Sequence, residues 1–221
     1  MGRIKDVVYD AKEDMIVDYS NERQMSLASC WLKRSLDVLG SVVSLVIFSP
    51  VFIFIGVFIK REDNGPVFFR QERIGYQGKP FTLYKFRSMT PTAESDGNPK
   101  LCQKQDKRLT HIGRFLREHH LDELPQLWNV LKGDMSFVGP RPERRFFIDK
   151  IISINPSYKL LYQLRPGLFS TATLYNGYTD TMEKMLERLR MDLEYLHNRS
   201  LWMDIKIIYQ TALAIVSGKK F

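Results

Sequence analysis

Residues 36–59 read LDVLGSVVSLVIFSPVFIFIGVFI, an apolar run whose single charge, Asp37, stands next to its start. A straight helix over it would cover about 36 Å at about 1.5 Å per residue, against about 30 Å of hydrocarbon in a bilayer. Length alone therefore predicts a crossing. Ser49 and Pro50 interrupt the run near its middle, and a proline removes one backbone donor while clashing with the carbonyl four residues back. A kink is predicted there, and each half is then too short to cross. Lys33 and Arg34 precede the run and Lys60 and Arg61 follow it, whereas a crossing helix concentrates basic residues at its cytoplasmic end. Basic flanks at both ends suit a helix-break-helix that dips into one leaflet and returns. The carbonyls freed near the break need partners in lipid, and the Ser49 hydroxyl is a local candidate. Prolines also occur in crossing helices, so the residues alone leave both forms open. A buried core helix fits less well, because the run is apolar all round and long.

Around this segment, a chain of 221 residues with 44% hydrophobic residues can bury one sizeable core. Thirty-three basic against 25 acidic residues leave a formal net charge of +8, which favours anionic partners (phosphates, acidic lipid or nucleic acid) without choosing among them. Cys30 and Cys102 form no CxxC pair and no metal-ligand spacing, so neither a disulfide framework nor a zinc site is indicated, and a reducing compartment is the simple reading. The first thirty residues carry mixed charge and no apolar h-region, unlike a secretory signal peptide.

Beyond the turn cluster Asp63-Asn64-Gly65-Pro66, Val67–Ile74 and Phe81–Met89 predict a β-hairpin around Gly75-Tyr76-Gln77-Gly78. Its arms carry Arg70, Arg73, Lys85 and Arg87, several of which can converge on one face of the pleat, although charge on a hairpin often only blunts an edge. Residues 91–106 predict a loop. In LTHIGRFLREHH, residues 109–120, the apolar positions Leu109, Ile112, Phe115 and Leu116 have helical spacing that leaves Arg114 and Arg117 off that face. Pro125 suits the first turn of a helix over Gln126–Leu131, closed by Gly133, so Asp122 and Glu123 lie where an acidic helix start is ordinary. In GPRPERR, residues 139–145, two prolines bracket Arg141 and present its guanidinium on a stiff turn with little ordering cost left on binding phosphate. Thr181–Leu196 predicts a charged amphipathic helix, and Leu201–Val216 a helix with a wide apolar face suited to a membrane interface.

Adjacent carboxylates point about 100° apart on a helix, which disfavours a facing acid and base pair of the glycosidase kind. They can divide labour: one attacks while the other holds a divalent cation, with Arg114, Arg117 and Arg141 neutralising a transferring phosphate. The sequence has no GxxxxGK[ST], no GxGxxG and no DxD, which lowers nucleoside triphosphatase, dinucleotide and many glycosyltransferase readings. His111, His119, His120 and His197 have no metal-ligand spacing, and each reads as a surface or interfacial polar residue. These residues alone support a membrane-bound protein that handles phosphate. Two other readings compete, a membrane glycosyltransferase releasing UDP and a non-catalytic adaptor binding anionic lipid or nucleic acid through its basic face. Nothing in a purely anion-binding surface would call for two clustered acids.

KRSLDVLGSVVSLVIFSPVF, GPVFFRQERIG, KFRSM, DKRLTHIGRFLRE, LDELPQLWNVLKGDMSFVGPRPE and RPGL follow one another in this order. Together they resemble the bacterial sugar transferase family, the monotopic polyprenyl-phosphate phosphoglycosyl transferases, from about Lys33 to Gly167. The resemblance implies transfer of a sugar 1-phosphate from a UDP-sugar to a polyprenyl phosphate (undecaprenyl phosphate), with release of UMP. It also implies a re-entrant helix broken at Ser49-Pro50, work at the cytoplasmic face of the bacterial inner membrane among membrane lipid, and no nucleic-acid partner. By the same resemblance Asp122 is the nucleophile that forms a covalent phosphosugar intermediate, Glu123 its partner in a magnesium site, Arg117 a phosphate-binding arginine, and Arg141, the arginine of the proline-bracketed motif, is expected near the nucleotide. Lys85 and Arg87 as diphosphate neighbours rest on charge. The expected fold is α+β and mostly helical: an N-terminal extension over 1–32, a re-entrant membrane helix over 33–61, and a catalytic domain over 62–221 with a β-hairpin and interfacial amphipathic helices. The chain departs from many relatives in carrying His119-His120 before the acids, where a Thr-Ser pair is usual. It also departs in the segment LFSTATLYNGYTDT after Gly167, which bears on the sugar accepted.

Overall fold

The computed structural model describes residues 7–10, 15–18, 25–93, 106–176 and 179–217. Among these residues the fold is mostly helical α+β, with three two-stranded sheets. Strands β1 (Val7–Asp10) and β2 (Met15–Asp18) pair antiparallel within the stretch read as an extension.

Helix α1 (Leu27–Ile47) begins earlier than the apolar run, because Ser26 caps it by accepting from the Ser29 N–H at 3.2 Å. It meets α2 (Ser49–Asp63) at a 59° bend, and neither helix by itself is long and apolar enough to cross a membrane. The chemistry of the break is local. Pro50 has no N–H to give the Val46 carbonyl, and the Ser49 hydroxyl donates to that oxygen at 2.8 Å instead. Helix α2 ends with Asn64 in the left-handed region at φ 56°, its N–H closing on the Lys60 carbonyl. Both helices leave large apolar side chains exposed, among them Trp31, Leu39, Val46, Ile53, Phe54 and Phe58.

Strands β3 (Phe68–Ile74) and β4 (Pro80–Phe86) form the predicted hairpin, joined by a 3-10 turn over Tyr76–Gly78, with Phe69 opposite Lys85 and Arg73 opposite Phe81. The second strand stops before the predicted Met89. Beyond it the backbone turns to pair with Leu109 and Arg108, through the Met89 bridge and the Thr90 N–H. Most of the predicted loop, residues 94–105 with Cys102, lies outside the described residues.

Helix α3 (His111–Glu118) is capped by the Thr110 hydroxyl, which accepts from Gly113 N–H at 2.9 Å. Gly113 is required for packing: a Cβ there would sit 1.9 Å from the Ser88 carbonyl oxygen. Helix α4 (Gln126–Lys132) ends at Gly133 with φ 93°, as its sequence predicts. Strand β5 (Ser136–Val138) pairs in parallel with β6 (Gly167–Phe169). Between and after them come α5 (Arg145–Ile154), a 3-10 segment over Pro156–Gln163, α6 (Thr171–Asn176), α7 (Met182–Asn198) and α8 (Leu201–Val216).

The main core gathers α5, α7 and the 3-10 segment around Ile148, Ile151, Leu161, Met185, Leu189 and Leu193. A second cluster, Ile55, Ile59, Phe86 and Leu116, joins α2 to the hairpin and α3. The bent helix pair is thus packed onto the site-bearing elements on one side while its other side stays bare. Along α8, Trp202, Ile205, Tyr209 and Leu213 are exposed at helical spacing, one apolar stripe facing away from the core.

Candidate active site

Helix α3 stops at His119, and His120 takes the left-handed conformation at φ 56°. That reversal starts a separate 3-10 turn over Leu121–Glu123, so Asp122 and Glu123 precede α4 instead of forming its first turn. The expectation of an ordinary acidic helix start is corrected by this kink, which turns both carboxylates toward the hairpin. Lys85 on β4 meets them there: its Nζ is 2.8 Å from Glu123 Oε1 and 4.0 Å from Asp122 Oδ2. Arg141 grips Glu123 with both guanidinium nitrogens, at 2.6 and 3.4 Å.

The turn that carries Arg141 is stitched to a second Pro-Gly turn. Gly139 N–H donates to Phe169 O at 3.1 Å, Gly167 N–H to Pro140 O at 2.9 Å, and Ser136 N–H to Pro166 O at 2.9 Å. A Cβ on Gly139 would lie 2.4 Å from the Arg165 carbonyl oxygen, so glycine is needed for the two backbones to meet. Glu143, two residues after Arg141, is clamped by Arg73 of β3 at 2.6 Å and Arg188 of α7 at 2.8 Å. Burial opposes its charge, but Arg188 and Arg73 prevail and hold its pKa at about 2.

The two acids of the dyad are driven apart electrically. Burial raises the pKa of Asp122, and Lys85 only partly counters it. Glu123 is also opposed by burial, yet Arg141 and Lys85 more than offset this and hold it well below the usual carboxylate range. Burial likewise lowers Lys85, with Glu123 pulling the other way. One carboxylate is therefore locked as an anion by its cations, while its neighbour, deeply buried, carries the less stabilised charge.

A cavity of about 860 Å³ opens over this group, lined among others by Lys85, Arg117, His120, Asp122, Glu123 and Arg141. Arg117 faces it and draws the Asp122 pKa down. Arg114 does not line it and is exposed, one helical step round α3. Arg87 reaches the wall, but its guanidinium is committed to both carboxylate oxygens of Asp63, one at 2.7 Å, which ties the end of α2 to the hairpin. Gly65 makes room for that pair, since a Cβ there would overlap the guanidinium. Ala172, Thr173 and Thr179, from the divergent segment after Gly167, also line the cavity.

Glu143, Arg188 and Asp192 escaped the sequence reading; Arg73 was read only as one of four hairpin cations, and His120, read as a surface or interfacial polar residue, lines the cavity. Glu143 stood inside a recognised motif, but its partners lie far along the chain. Asp192 of α7 is buried, which pushes its pKa up to about 7 against the pull of Arg188 and Arg141, and it accepts the Arg141 backbone N–H. An unfolded aspartate titrates near 3.9, so the folded state binds the extra proton between these values and the stability contribution is lost as pH rises from about 4 to 7. Asp192→Asn cannot titrate. Its melting temperature relative to the parent is expected to move in the variant's favour between about pH 4.5 and about pH 7.5. A constant difference across that range would refute an elevated pKa at Asp192.

Asp122 and Glu123 supply oxygen donors of the kind a hard divalent ion such as magnesium takes together with substrate phosphates, and an ion there would displace Lys85 or Arg141 from a Glu123 oxygen. Among the described residues no group of three or more His, Cys, Asp or Glu forms an all-protein cage.

Residues 28–218 match the family described as bacterial sugar transferase. The chain is 38% identical over 207 residues to the UDP-N-acetylgalactosamine-undecaprenyl-phosphate N-acetylgalactosaminephosphotransferase of Aeromonas hydrophila, covering 91% of this chain and 49% of that protein. It is 42% identical over 181 residues to the UDP-glucose:undecaprenyl-phosphate glucose-1-phosphate transferase of Klebsiella pneumoniae, covering 81% and 39%. A protein with that same description from Caulobacter vibrioides is 41% identical over 189 residues, covering 84% and 70%. The chain thus spans about half or less of the length of the first two relatives.

Proposed function

The chain belongs to the bacterial sugar transferase family, and from that premise we propose that it transfers a sugar 1-phosphate from a UDP-sugar to undecaprenyl phosphate, releasing UMP. The observation that carries this reading is the single ammonium of Lys85 reaching both acids, with Arg141 on Glu123, at the wall of one cavity.

In the proposed reaction an Asp122 carboxylate oxygen attacks the phosphorus that bears the sugar. The bond from that phosphorus to the bridging oxygen breaks, and UMP leaves with the electron pair. An oxygen of undecaprenyl phosphate then attacks the same phosphorus, restores the Asp122 carboxylate and forms the diphosphate-linked sugar. Raised pKa and burial suit Asp122 for attack, because its charge is poorly stabilised where it stands. Glu123 holds Lys85 and Arg141 in place for the phosphate oxygens. Arg117, on the same wall, adds positive charge. Magnesium, held by Asp122 and Glu123, would neutralise phosphate charge in both transfers. The two steps reuse one set of cations.

The bent pair α1–α2 is proposed to enter and leave the membrane on one face, the cytoplasmic face of the bacterial inner membrane. Its bare apolar side chains and the exposed stripe on α8 support contact with lipid. Cys30 is exposed near the start of α1, so it reports sidedness directly. In a Cys102→Ser background, Cys30 and a cysteine placed at Arg61 are expected to react with an impermeant maleimide from the same side of sealed vesicles. Labelling from opposite sides would mean a crossing helix.

The reaction itself is tested on protein in nanodiscs with magnesium, undecaprenyl phosphate, and UDP-N-acetylgalactosamine or UDP-glucose, the donors in the relatives' names. UMP is the expected nucleotide. UDP in its place would mean transfer of the sugar alone and would discard the covalent scheme.

A further inference from the structure

The base of α1 is built into the catalytic unit. Lys33 Nζ donates to the Val138 carbonyl at 3.2 Å and to Asp204 Oδ2 at 2.6 Å. The other Asp204 oxygen accepts from the Tyr195 hydroxyl at 2.6 Å. One turn further along α1, Asp37 Oδ1 accepts the Phe137 N–H at 3.1 Å, and a Cβ on Gly40 would lie 2.8 Å from the Phe137 ring. Arg34 donates to the Val130 and Leu131 carbonyls at 2.7 and 2.8 Å, the last turn of the helix that follows Asp122 and Glu123. Val138, Asp37, Asp204 and Tyr195 are all buried.

The Lys33, Asp37 and Gly40 contacts fall on β5, and β5 runs straight into Gly139-Pro140-Arg141. Pro140 stiffens the turn and the backbone bonds from Gly139 to Phe169 and from Gly167 to Pro140 pin it, so a shift of Val138 carries through to Arg141 on Glu123. An anchor alone would need none of this. A helix that only held the protein to lipid could join the domain through a loose linker, whereas here an ion pair between α1 and α8 and a buried hydroxyl from α7 are committed beside one strand.

We propose that Lys33, seated by Asp204 and Tyr195, is a positioning residue for Arg141, so that the bent pair α1–α2 is a working part of the active site's frame. The inference rests on the phosphosugar transfer proposed above for its kinetic arm only.

The test compares Lys33→Met, Lys33→Arg and Tyr195→Phe with the parent, all as the full chain in nanodiscs. Backbone hydrogen exchange over residues 136–142 is expected to quicken in Lys33→Met and, less, in Tyr195→Phe. UMP release from the donor without acceptor is expected to slow by about 10- to 100-fold in Lys33→Met at unchanged donor KM, the cost of a small misplacement. Lys33→Arg, which keeps the charge and a donor for Asp204, is expected to recover most of that rate. Unchanged exchange over 136–142, a loss confined to KM or to membrane flotation, or an arginine variant no better than methionine would each overturn the proposal. If Lys33→Met exchanges fast throughout, it has unfolded, and Tyr195→Phe, which removes one hydroxyl, decides by the same criteria. A parent inactive with every donor defeats the proposed function instead, and exchange over 136–142 then decides the positioning role by itself.

Discussion

Asp122→Asn is expected to lose turnover by on the order of 10⁴-fold or more while melting no earlier than the parent. The amide has the shape of the carboxylate but cannot attack phosphorus. Asp122 is only 4% exposed and burial raises its pKa, so its charge weakens the fold at neutral pH and the neutral amide relieves that burden. Lys85 keeps its 2.8 Å contact with Glu123 in the variant. Release of UMP in a single turnover, with melting followed in parallel, checks both halves. Near-parental turnover would remove Asp122 from the role of nucleophile. The pH profile of the parent carries the same signature. Protonated Asp122 cannot attack, so the donor step should fall on acidification as that carboxylate takes up its proton. Glu123, held well below the usual range, stays ionised through that fall.

Arg141→Ala is expected to reduce the donor step by about 10²- to 10³-fold, the usual scale for removing one preorganised donor to developing charge. Stability should drop by about 2 kcal/mol, toward the middle of the range for a hydrogen bond to a charged group, because the guanidinium is 32% exposed and its loss is partly made good by water. Glu123 would keep Lys85 alone, so its pKa should rise from its depressed position. Arg141→Lys separates the two effects. A lysine restores charge and much of the stability but cannot grip Glu123 and a phosphate as a planar fork, so the rate is expected to stay low. A lysine variant as fast as the parent would show that charge suffices and that the two-pronged geometry of Arg141 on Glu123 has no kinetic role.

Features written in neighbouring residues were read correctly. The hairpin over β3 and β4, the closure of α4 at Gly133 and the start of α7 at the Thr181 cap follow from turn residues and caps whose chemistry reaches only a few positions. Helical spacing placed Arg114 and Arg117 off the apolar face of α3 but could not tell them apart. Only the packing of α3 on the hairpin makes Arg117 a wall of the cavity and leaves Arg114 in solvent. Arg87 was read as a diphosphate neighbour by charge. Its commitment to Asp63 was hidden because that aspartate lay in what read as an ordinary turn.

By itself, then, the sequence determined the break at Ser49-Pro50, since a missing N–H and a nearby hydroxyl are properties of adjacent residues. It also determined that a proline-bracketed arginine would stand on a stiff turn, whereas the separate turn that carries the two acids came only from the left-handed His120. Which cation serves which acid was decided only by the tertiary structure. The Lys85 contact with Glu123, the Arg141 fork on that same residue, and the Lys33 to Asp204 bridge join positions 38, 18 and 171 residues apart. Coulomb energy depends on distance through space and on how much water burial removes, and no local pattern in a chain encodes either.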